Sequence, residues 1–271
     1  MVILQEQNLR GLDRKSSKGN QLKFERSGIW YKADYMGYEG LAEYTVSRLL
    51  RYSTLKEDEF VLYEPEQIVY RDSTFNGCKS RDFTNGWQLI TLERLFQQVC
   101  GKGLNSMIYS IPDHASRLKM IEEQVERVTG IRGFGIYLAK LLTVDVMFLN
   151  EDRHTHNIAV MTNDRREYRL CPVFDNGACL LSDTTMDYPV GPDCLTLIKR
   201  ARPNTFCQDF SEQLDIVESL YGEQIHFSYG YHEVEAIVNQ ADHYSEEIRK
   251  RVIDLVMSRR RTLEYLFRQG N

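Results

Sequence analysis

The spacing of apolar residues changes once along this chain, near Gly86, and that change restricts the fold more than any other feature. Before Gly86, apolar and polar residues alternate in short runs bounded by turn residues, a pattern typical of strands. After it, apolar residues recur three and four positions apart over ten or more residues, a pattern typical of amphipathic helices. The sequence therefore predicts an α+β protein with a sheet-rich first part and a mostly helical second part.

The first part contains several predicted strands and one predicted helix. Residues 20–35, NQLKFERSGIWYKADY, include a Ser27-Gly28 turn and predict a hairpin whose second strand is Ile29 to Ala33. Further strands are predicted in EFVLYEPEQIVYRD and GCKSRDF, with Asn76-Gly77 as the turn that introduces the latter. From Glu39, EGLAEYTVSRLLRYS has helical spacing, so one helix is expected between the strands.

The second part contains six strongly periodic segments and one predicted hairpin, RREYRLCPVFDNG. We set the boundary between the parts at residue 86, which gives predicted domains of residues 1–86 and 87–271. In the last segment the run Arg259-Arg260-Arg261 is interpreted as the solvated face of a helix near its C-terminus. The segments are TLERLFQQVCG, RLKMIEEQVERV, GFGIYLAKLLTVDVMFLN, TFCQDFSEQLDIVESLYG, HEVEAIVNQADHY and SEEIRKRVIDLVMSRRRTLEYLFRQ.

Charge and apolar run length exclude some classes of function. The formal net charge of −5 argues against a chain-wide electrostatic contact with nucleic acid, so no direct nucleic-acid binding is expected. The longest apolar stretch, from Phe134 to Leu149, contains Lys140 and Asp145 and is shorter than the roughly 20 residues of a membrane span. We therefore expect a buried core helix there and no membrane span.

Cysteine spacing and the first residues bear on the compartment. The 6 cysteines are scattered without a CxxC pair, which favours reduced thiols over a disulfide framework or a zinc site. The segment MVILQEQNLRGLDRK lacks the basic, apolar and small-residue order of a signal peptide. A cytoplasmic protein is the expectation.

Polar residues are concentrated directly after the predicted core helix, in NEDRHTHNIAVM at residues 150–161. Asp152 and Asn157 stand five positions apart there, and Asp175 follows in the turn FDNG. Carboxylate and amide oxygens suit Mg²⁺, which completes its shell with water and phosphate oxygens. In kinases the acid that opens D-x-x-x-x-N accepts the substrate proton, while the asparagine and the aspartate of D-x-G hold metal. The same roles are assigned here to Asp152, Asn157 and Asp175.

The remaining parts of such a site are sought upstream. Lys32, on a predicted middle strand, is the candidate lysine for the phosphates, and Glu43 on the inserted helix is its candidate partner, with Glu39 as the alternative. The polar segment DRKSSKGN, before the first strand pair, is the candidate phosphate loop. Its assigned residues are Ser16, Ser17, Lys18, Gly19 and Asn20.

These motifs carry a family resemblance. D-R-H-x-x-N-I at Asp152 to Ile158, followed by D-x-G at Asp175 to Gly177, resembles the catalytic and metal loops shared by phosphatidylinositol kinases and bacterial HipA-like Ser/Thr kinases. EYTVSRLL and KSRDF are similar to HipA-like segments after the strand lysine and before the hinge, and the chain resembles the short, free-standing members. The resemblance implies a bilobal protein-kinase-like fold that uses ATP and Mg²⁺, with residues 1–86 as nucleotide-binding lobe and 87–271 as catalytic lobe.

Departures from the kinase pattern leave alternatives open. The chain has FDNG in place of D-F-G and no A-P-E string, which argues against conventional activation-loop control. It also has no glycine-rich loop, so a nucleotide-binding pseudokinase that acts through a partner is one alternative. His154 is a second candidate base, and this motivates a lipid or small-molecule alcohol kinase of the same fold. In the protein-kinase interpretation, His154 braces the loop instead.

The preferred interpretation is a serine/threonine protein kinase, with a protein substrate and an antitoxin or other regulatory protein as a possible partner. Autophosphorylation is expected because hydroxyl residues occur in segments that we interpret as flexible and assign to the region of the γ-phosphate. These residues are Ser16, Ser17, Ser182, Thr184 and Thr185.

Overall fold

The computed structural model describes residues 1–10, 21–204 and 206–267. The N-terminal strands form one sheet of six in the order β1-β5-β6-β4-β3-β2, antiparallel except where β1 pairs with β5. The strands are β1 (Val2–Leu4), β2 (Leu9–Arg10), β3 (Lys23–Arg26), β4 (Ile29–Ala33), β5 (Tyr63–Tyr70) and β6 (Ser73–Arg81). The predicted second strand of the first hairpin is confirmed from Ile29 to Ala33.

The Asn76-Gly77 turn prediction is wrong. Both residues lie inside β6, opposite Gln67 and Glu66, and the chain turns earlier, at Arg71, whose φ is 53°. Gly77 is needed for close approach instead, since a Cβ there would lie 2.1 Å from the carbonyl oxygen of Lys32. A glycine inside a strand can mark such a close approach of another backbone.

Helix α1 (Glu39–Leu50) lies across the sheet and is buried on almost every side. It packs against β5 and β6 on one side and against α8 (Tyr231–Val238) on the other. Its first turn reaches the sheet because Gly40 has no side chain: a Cβ at Gly40 would lie 2.5 Å from the Cα of Gly77. The position of α1 is therefore set by contact between two glycines.

Gly40→Ala should destabilise the protein by about 1–3 kcal/mol, because the added methyl group forces α1 away from a backbone that cannot yield. Chemical denaturation measures the change in the free energy of unfolding. Gly177→Ala is the matched control, since its Cβ would meet only ordinary contacts, the nearest at 3.5 Å. Equal stabilities of the two variants would contradict the close-contact explanation.

The second part is mainly helical and surrounds α5 (Phe134–Phe148), which is buried over nearly its whole length. Helices α4 (His114–Thr129), α7 (Phe210–Tyr221) and α9 (Glu246–Thr262) pack against α5. The other helices are α2 (Leu92–Cys100), α3 (Leu104–Ile108) and α6 (Cys194–Ile198). The α+β class predicted from the sequence is thus confirmed.

A second sheet of three strands, in the order β7-β8-β9, lies beside the helices. Strand β7 (Gln88–Thr91) and strand β9 (Tyr168–Leu170) pair antiparallel with β8 (Ala159–Thr162). The hairpin predicted in RREYRLCPVFDNG is found only in part: that segment supplies β9, but its partner β8 precedes the segment. Residues 150–158 connect the end of α5 to β8, and the FDNG turn follows β9. Because β8 and β9 are antiparallel, the two polar segments adjoin the same end of this small sheet.

Not all of the arginine run in α9 is solvated, contrary to the sequence interpretation. Arg259 is buried and donates a hydrogen bond to the carbonyl oxygen of Val146 (2.9 Å). Burial lowers the pKa of Arg259 to about 10.

No helix within residues 1–10, 21–204 and 206–267 has the length and apolar character needed to cross a bilayer.

Candidate active site

Lys32 on β4 connects the N-terminal sheet to the second part of the chain. In the sheet it stands between Lys23 on β3 and Cys78 on β6. Its Nζ atom forms ion pairs with Glu43 and with Asp175 Oδ1, the latter at 2.7 Å. Burial acts to lower the pKa of Lys32, but the two carboxylates raise it well above its ordinary value. Lys32 is therefore a fixed positive charge.

Glu43 is the partner of Lys32, as predicted, whereas the alternative Glu39 binds the loop before α1. The Glu43 side chain is 1% exposed, and its Oε2 accepts a hydrogen bond from the backbone N–H of Asn176 (2.7 Å). Glu39 instead accepts backbone N–H groups of the preceding loop, including that of Met36 (2.6 Å). Glu43 thus joins helix α1 both to Lys32 and to the FDNG turn.

Asp175 sits in a left-handed backbone conformation, with φ of 60°, that places its carboxylate against Lys32. Burial acts to raise the pKa of Asp175, but Lys32 and then Lys23 hold it well below the usual range. The carboxylate is therefore ionised at any physiological pH. Sequence reasoning missed Lys23, although its register opposite Lys32 in a hairpin was the available signal.

Asp152, His154 and Asn157 meet in the loop after α5. The amide nitrogen of Asn157 donates to the backbone oxygen of Asp152 (2.7 Å) and to Asp152 Oδ2 (3.3 Å). His154 Nε2 lies 3.5 Å from Asp152 Oδ1. The asparagine nitrogen thus faces Asp152, which turns the amide oxygen away from that carboxylate.

The ring of His154 has a defined orientation. Its Nδ1 is the acceptor for the backbone N–H of His156 (3.2 Å), so in the neutral ring the proton resides on Nε2, which faces Asp152. Burial lowers the pKa of His154, against the opposing effect of the Asp152 carboxylate, and this favours the neutral ring. His154 thus accepts a backbone hydrogen bond at Nδ1 and has its Nε2 on the side of Asp152.

Arg153 holds the two polar segments together. It is 1% exposed, and its Nε donates to both carboxylate oxygens of Asp145 in α5 at 3.1 Å. Its other nitrogens donate to the backbone oxygens of Asn157 (3.1 Å) and Phe174 (2.8 Å) and to Asn176 Oδ1 (2.9 Å). One guanidinium therefore fixes the loop of Asp152 relative to the turn of Asp175.

The segment after Gly177 pairs with the loop before α1. The backbone N–H of Tyr38 donates to the oxygen of Ser182 (3.1 Å), and those of Thr184 and Thr185 donate to the oxygen of Met36 (3.1 and 3.0 Å). Gly37 bridges to Asp183 in antiparallel fashion. The start of α1 is thereby joined to the segment that follows Asp175.

This pairing corrects the sequence view of three candidate phosphorylation residues as parts of a flexible segment. Ser182 is 3% exposed and donates to the backbone oxygen of Gly177 (2.6 Å), so its hydroxyl is inaccessible in this conformation. Thr185 is exposed, and its hydroxyl donates to the oxygen of Met36 (2.6 Å). Autophosphorylation itself stays a prediction.

The predicted phosphate-loop residues, Ser16, Ser17, Lys18, Gly19 and Asn20, lie outside the residues that the structure describes. Near Lys32, buried Val61, Tyr63 and Cys78 form a small hydrophobic cluster, and half-buried Phe83 and Phe174 pack against it. The centroids of the two phenylalanine rings are 5.6 Å apart. Only these two rings of the cluster are partly open to contact with a ligand.

The oxygen donors of the site can be compared with the ligands that Mg²⁺ prefers. Asp175 offers an ionised carboxylate that is 25% exposed, and Asn157 offers the amide oxygen that points away from Asp152. Mg²⁺ is held in proteins by one or two carboxylates with additional oxygen ligands from water and phosphate. The residues present fit a magnesium ion shared with a phosphate chain.

Comparison with known proteins gives the fold. No protein-family model matches the chain, and no curated protein matches it. Among solved structures, the crystal structure of a proinflammatory kinase, CtkA, from Helicobacter pylori is similar, with a TM-score of 0.61 and 15% sequence identity. The match covers 98% of this chain and 96% of that chain. The predicted bilobal kinase-like fold is confirmed.

Proposed function

We propose that this chain is an ATP- and magnesium-dependent phosphotransferase that acts on serine or threonine residues of a protein. The observation that carries the proposal is the contact of Lys32 with both Glu43 and Asp175, together with the Arg153 link from that turn to Asp152 and Asn157. Strand lysine, helix glutamate, metal-binding aspartate and loop base are the set that phosphoryl transfer requires.

ATP would bind between the two parts of the chain. Lys32 supplies a positive charge for the phosphates, and Lys23 adds a second charge on the neighbouring strand. The half-buried rings of Phe83 and Phe174, which pack on the buried cluster of Val61, Tyr63 and Cys78, would contact the adenine ring. Because Lys32 contacts Asp175 and Lys23 acts on it electrostatically, a phosphate chain that enters there would give both lysines a second anionic partner.

Asp175 and Asn157 would hold magnesium. When bound, Mg²⁺ neutralises the charge on the phosphate oxygens and orients them for in-line transfer. The chain's own contribution is to keep Asp175 ionised and to keep Asn157 at a fixed distance from Asp152. Arg153 joins this loop to the turn of Asp175, because it donates to the backbone oxygens of Asn157 and Phe174.

Asp152 would accept the proton of the acceptor hydroxyl, and His154 would orient it. The ring of His154 turns Nε2 toward Asp152 and uses Nδ1 within the loop, so the carboxylate is the better acceptor for a substrate proton. This arrangement favours the protein-kinase assignment over a lipid or small-molecule kinase that uses His154 as base. A HipA-like family, a cytoplasmic location and a regulatory protein partner belong to the same proposal.

Nucleotide binding is the first test. With ATP and Mg²⁺ at about 100 times the dissociation constant, the wild type should gain about 2.7 kcal/mol of stability, measured as a rise in Tm. The ligand-induced rise in Tm of Lys32→Met, measured from the Tm of this variant without ligand, should be much smaller than that of the wild type. Lys79→Met is the matched control, because Lys79 lies on β6 of the same sheet and pairs with Glu66.

Acceptor class is the second test, with labelled ATP offered with a protein pool, with lipid vesicles or with small alcohols. Label in protein alone supports the proposal. Label in a lipid or a small alcohol would transfer the assignment to that acceptor. Nucleotide binding without turnover would favour a pseudokinase, and absence of any nucleotide-induced shift would contradict all three.

A further inference from the structure

Three potential metal ligands meet on elements that carry none of the residues discussed above. His114 is the first residue of α4, Glu212 is in the first turn of α7, and Cys207 precedes α7. Their ligand atoms all lie within 4.8 Å of one another. Within the described part of the chain, this is the one group of three or more His, Cys, Asp or Glu residues placed to hold a metal ion.

We propose that His114, Cys207 and Glu212 bind a zinc ion. Zinc bonds of about 2.0–2.3 Å to nitrogen, sulfur and oxygen at tetrahedral angles place neighbouring ligand atoms about 3.3–3.6 Å apart. His114 Nδ1 and Glu212 Oε1 are 2.8 Å apart, in direct contact. A small outward movement of these two half-exposed side chains would therefore complete the geometry, with water as the fourth ligand.

Ligand chemistry favours zinc over magnesium or calcium. Thiolate and imidazole are soft or borderline donors, whereas magnesium and calcium take oxygen donors. One thiolate and one carboxylate supply two negative charges, which balance the charge of Zn²⁺. Cys207 donates its thiol proton to the backbone oxygen of Asp209 (3.1 Å), and this proton would be released to solvent when the Zn–S bond forms.

Both segments that carry the ligands are already held in place. Arg117 donates to the backbone oxygens of Ile111 (2.6 Å) and Phe206 (3.0 Å), so one guanidinium spans the chain just before His114 and just before Cys207. Asp209 caps α7 by accepting the backbone N–H of Glu212 (3.1 Å). Only side chains would have to adjust on binding, and this reduces the entropic cost of forming the site.

The proposed zinc ion would connect α4 to α7, whose ligands His114 and Glu212 stand 98 residues apart in sequence. Helices α4 and α7 contact each other and both pack against α5. A bound ion would therefore stabilise the helical part around the helix that leads to Asp152. The scattered cysteines gave no such signal, because the ligands come together only when the helices pack.

The experiment measures zinc on the full chain after removal of metal with a chelator and titration against a competing chromophoric chelator. Wild type should bind about one zinc ion per chain, and Cys207→Ser and His114→Gln should bind at least about tenfold more weakly. Cobalt substitution gives a second readout, since a thiolate ligand produces a charge-transfer absorption that Cys207→Ser should abolish.

Cys194→Ser and His232→Gln are the matched controls, because neither residue belongs to the cluster. Both should bind zinc as wild type does. Circular dichroism of each variant in chelator establishes that loss of binding is not loss of fold. Equal zinc affinity of wild type and Cys207→Ser, or no zinc bound by folded wild type, would overturn the proposal.

Discussion

Asp152→Asn should transfer phosphate about 10²- to 10⁴-fold more slowly than wild type, which corresponds to about 3–5 kcal/mol of activation free energy. The carboxamide keeps the shape and the contact with Asn157, but it cannot accept the proton of the acceptor hydroxyl. The initial rate of label incorporation from ATP, at saturating nucleotide, measures the effect. Nucleotide binding by thermal shift should change little, because Asp152 is proposed to act on the acceptor.

Two further variants distinguish the base from its neighbours. His154→Gln should lose less activity than Asp152→Asn, because the proposed role of His154, whose Nε2 lies 3.5 Å from Asp152 Oδ1, is to orient Asp152. Asp164→Asn, an exposed aspartate between β8 and β9, should retain the wild-type rate. A larger loss in His154→Gln than in Asp152→Asn would exchange the two roles and reopen the lipid or small-molecule acceptor.

Arg153→Met should destabilise the protein by about 3–5 kcal/mol, because it leaves the carboxylate of Asp145 buried without its cationic partner. Burial raises the pKa of Asp145 to about 6 even with Arg153 in place. The change also removes the donors that join the loop of Asp152 to the turn of Asp175. Chemical denaturation measures the loss in the free energy of unfolding.

A double-mutant cycle identifies the source of that loss. Asp145→Asn removes the buried charge, so adding it to Arg153→Met should recover part of the stability, with a coupling energy of about 0.5–3 kcal/mol. Arg165→Met, at an exposed arginine, is the matched control and should cost less than about 0.5 kcal/mol. If the two buried substitutions were additive, the ion pair would not be the reason for the instability.

Local patterns were sufficient to predict the strand of Lys32 and the helix of Glu43. The alternating run from Ile29 to Ala33 and the helical spacing from Glu39 both depend on nearby residues, and both elements have the predicted positions. Glu43 could be preferred to Glu39 because it lies a full turn inside the helix, where a side chain faces the sheet. The contact between Lys32 and Asp175 could not be predicted from local patterns, because the two residues are 143 positions apart in the sequence.

The parts that sequence reasoning missed depend on packing. Asp145 was visible as an acid inside an apolar helix, but its partner Arg153 stood beside two candidate catalytic residues and was not distinguished from them. Asn76-Gly77 has the composition of a hairpin turn, yet the glycine allows the close approach of the Lys32 backbone. The boundary at residue 86 and the roles of Asp152, His154, Asn157 and Asp175 stay predictions.

The backbone pairing of residues 36–38 with residues 182–185 means that helix α1 and the segment after Gly177 have to move together. A tilt of α1 that withdraws Glu43 from Lys32 would first have to break three backbone hydrogen bonds. These are the bond from Tyr38 to Ser182 and the bonds from Thr184 and Thr185 to Met36. Switching by helix rotation is therefore costly in this molecule. For the proposed phosphotransferase, this favours control by nucleotide and acceptor binding over control by movement of α1.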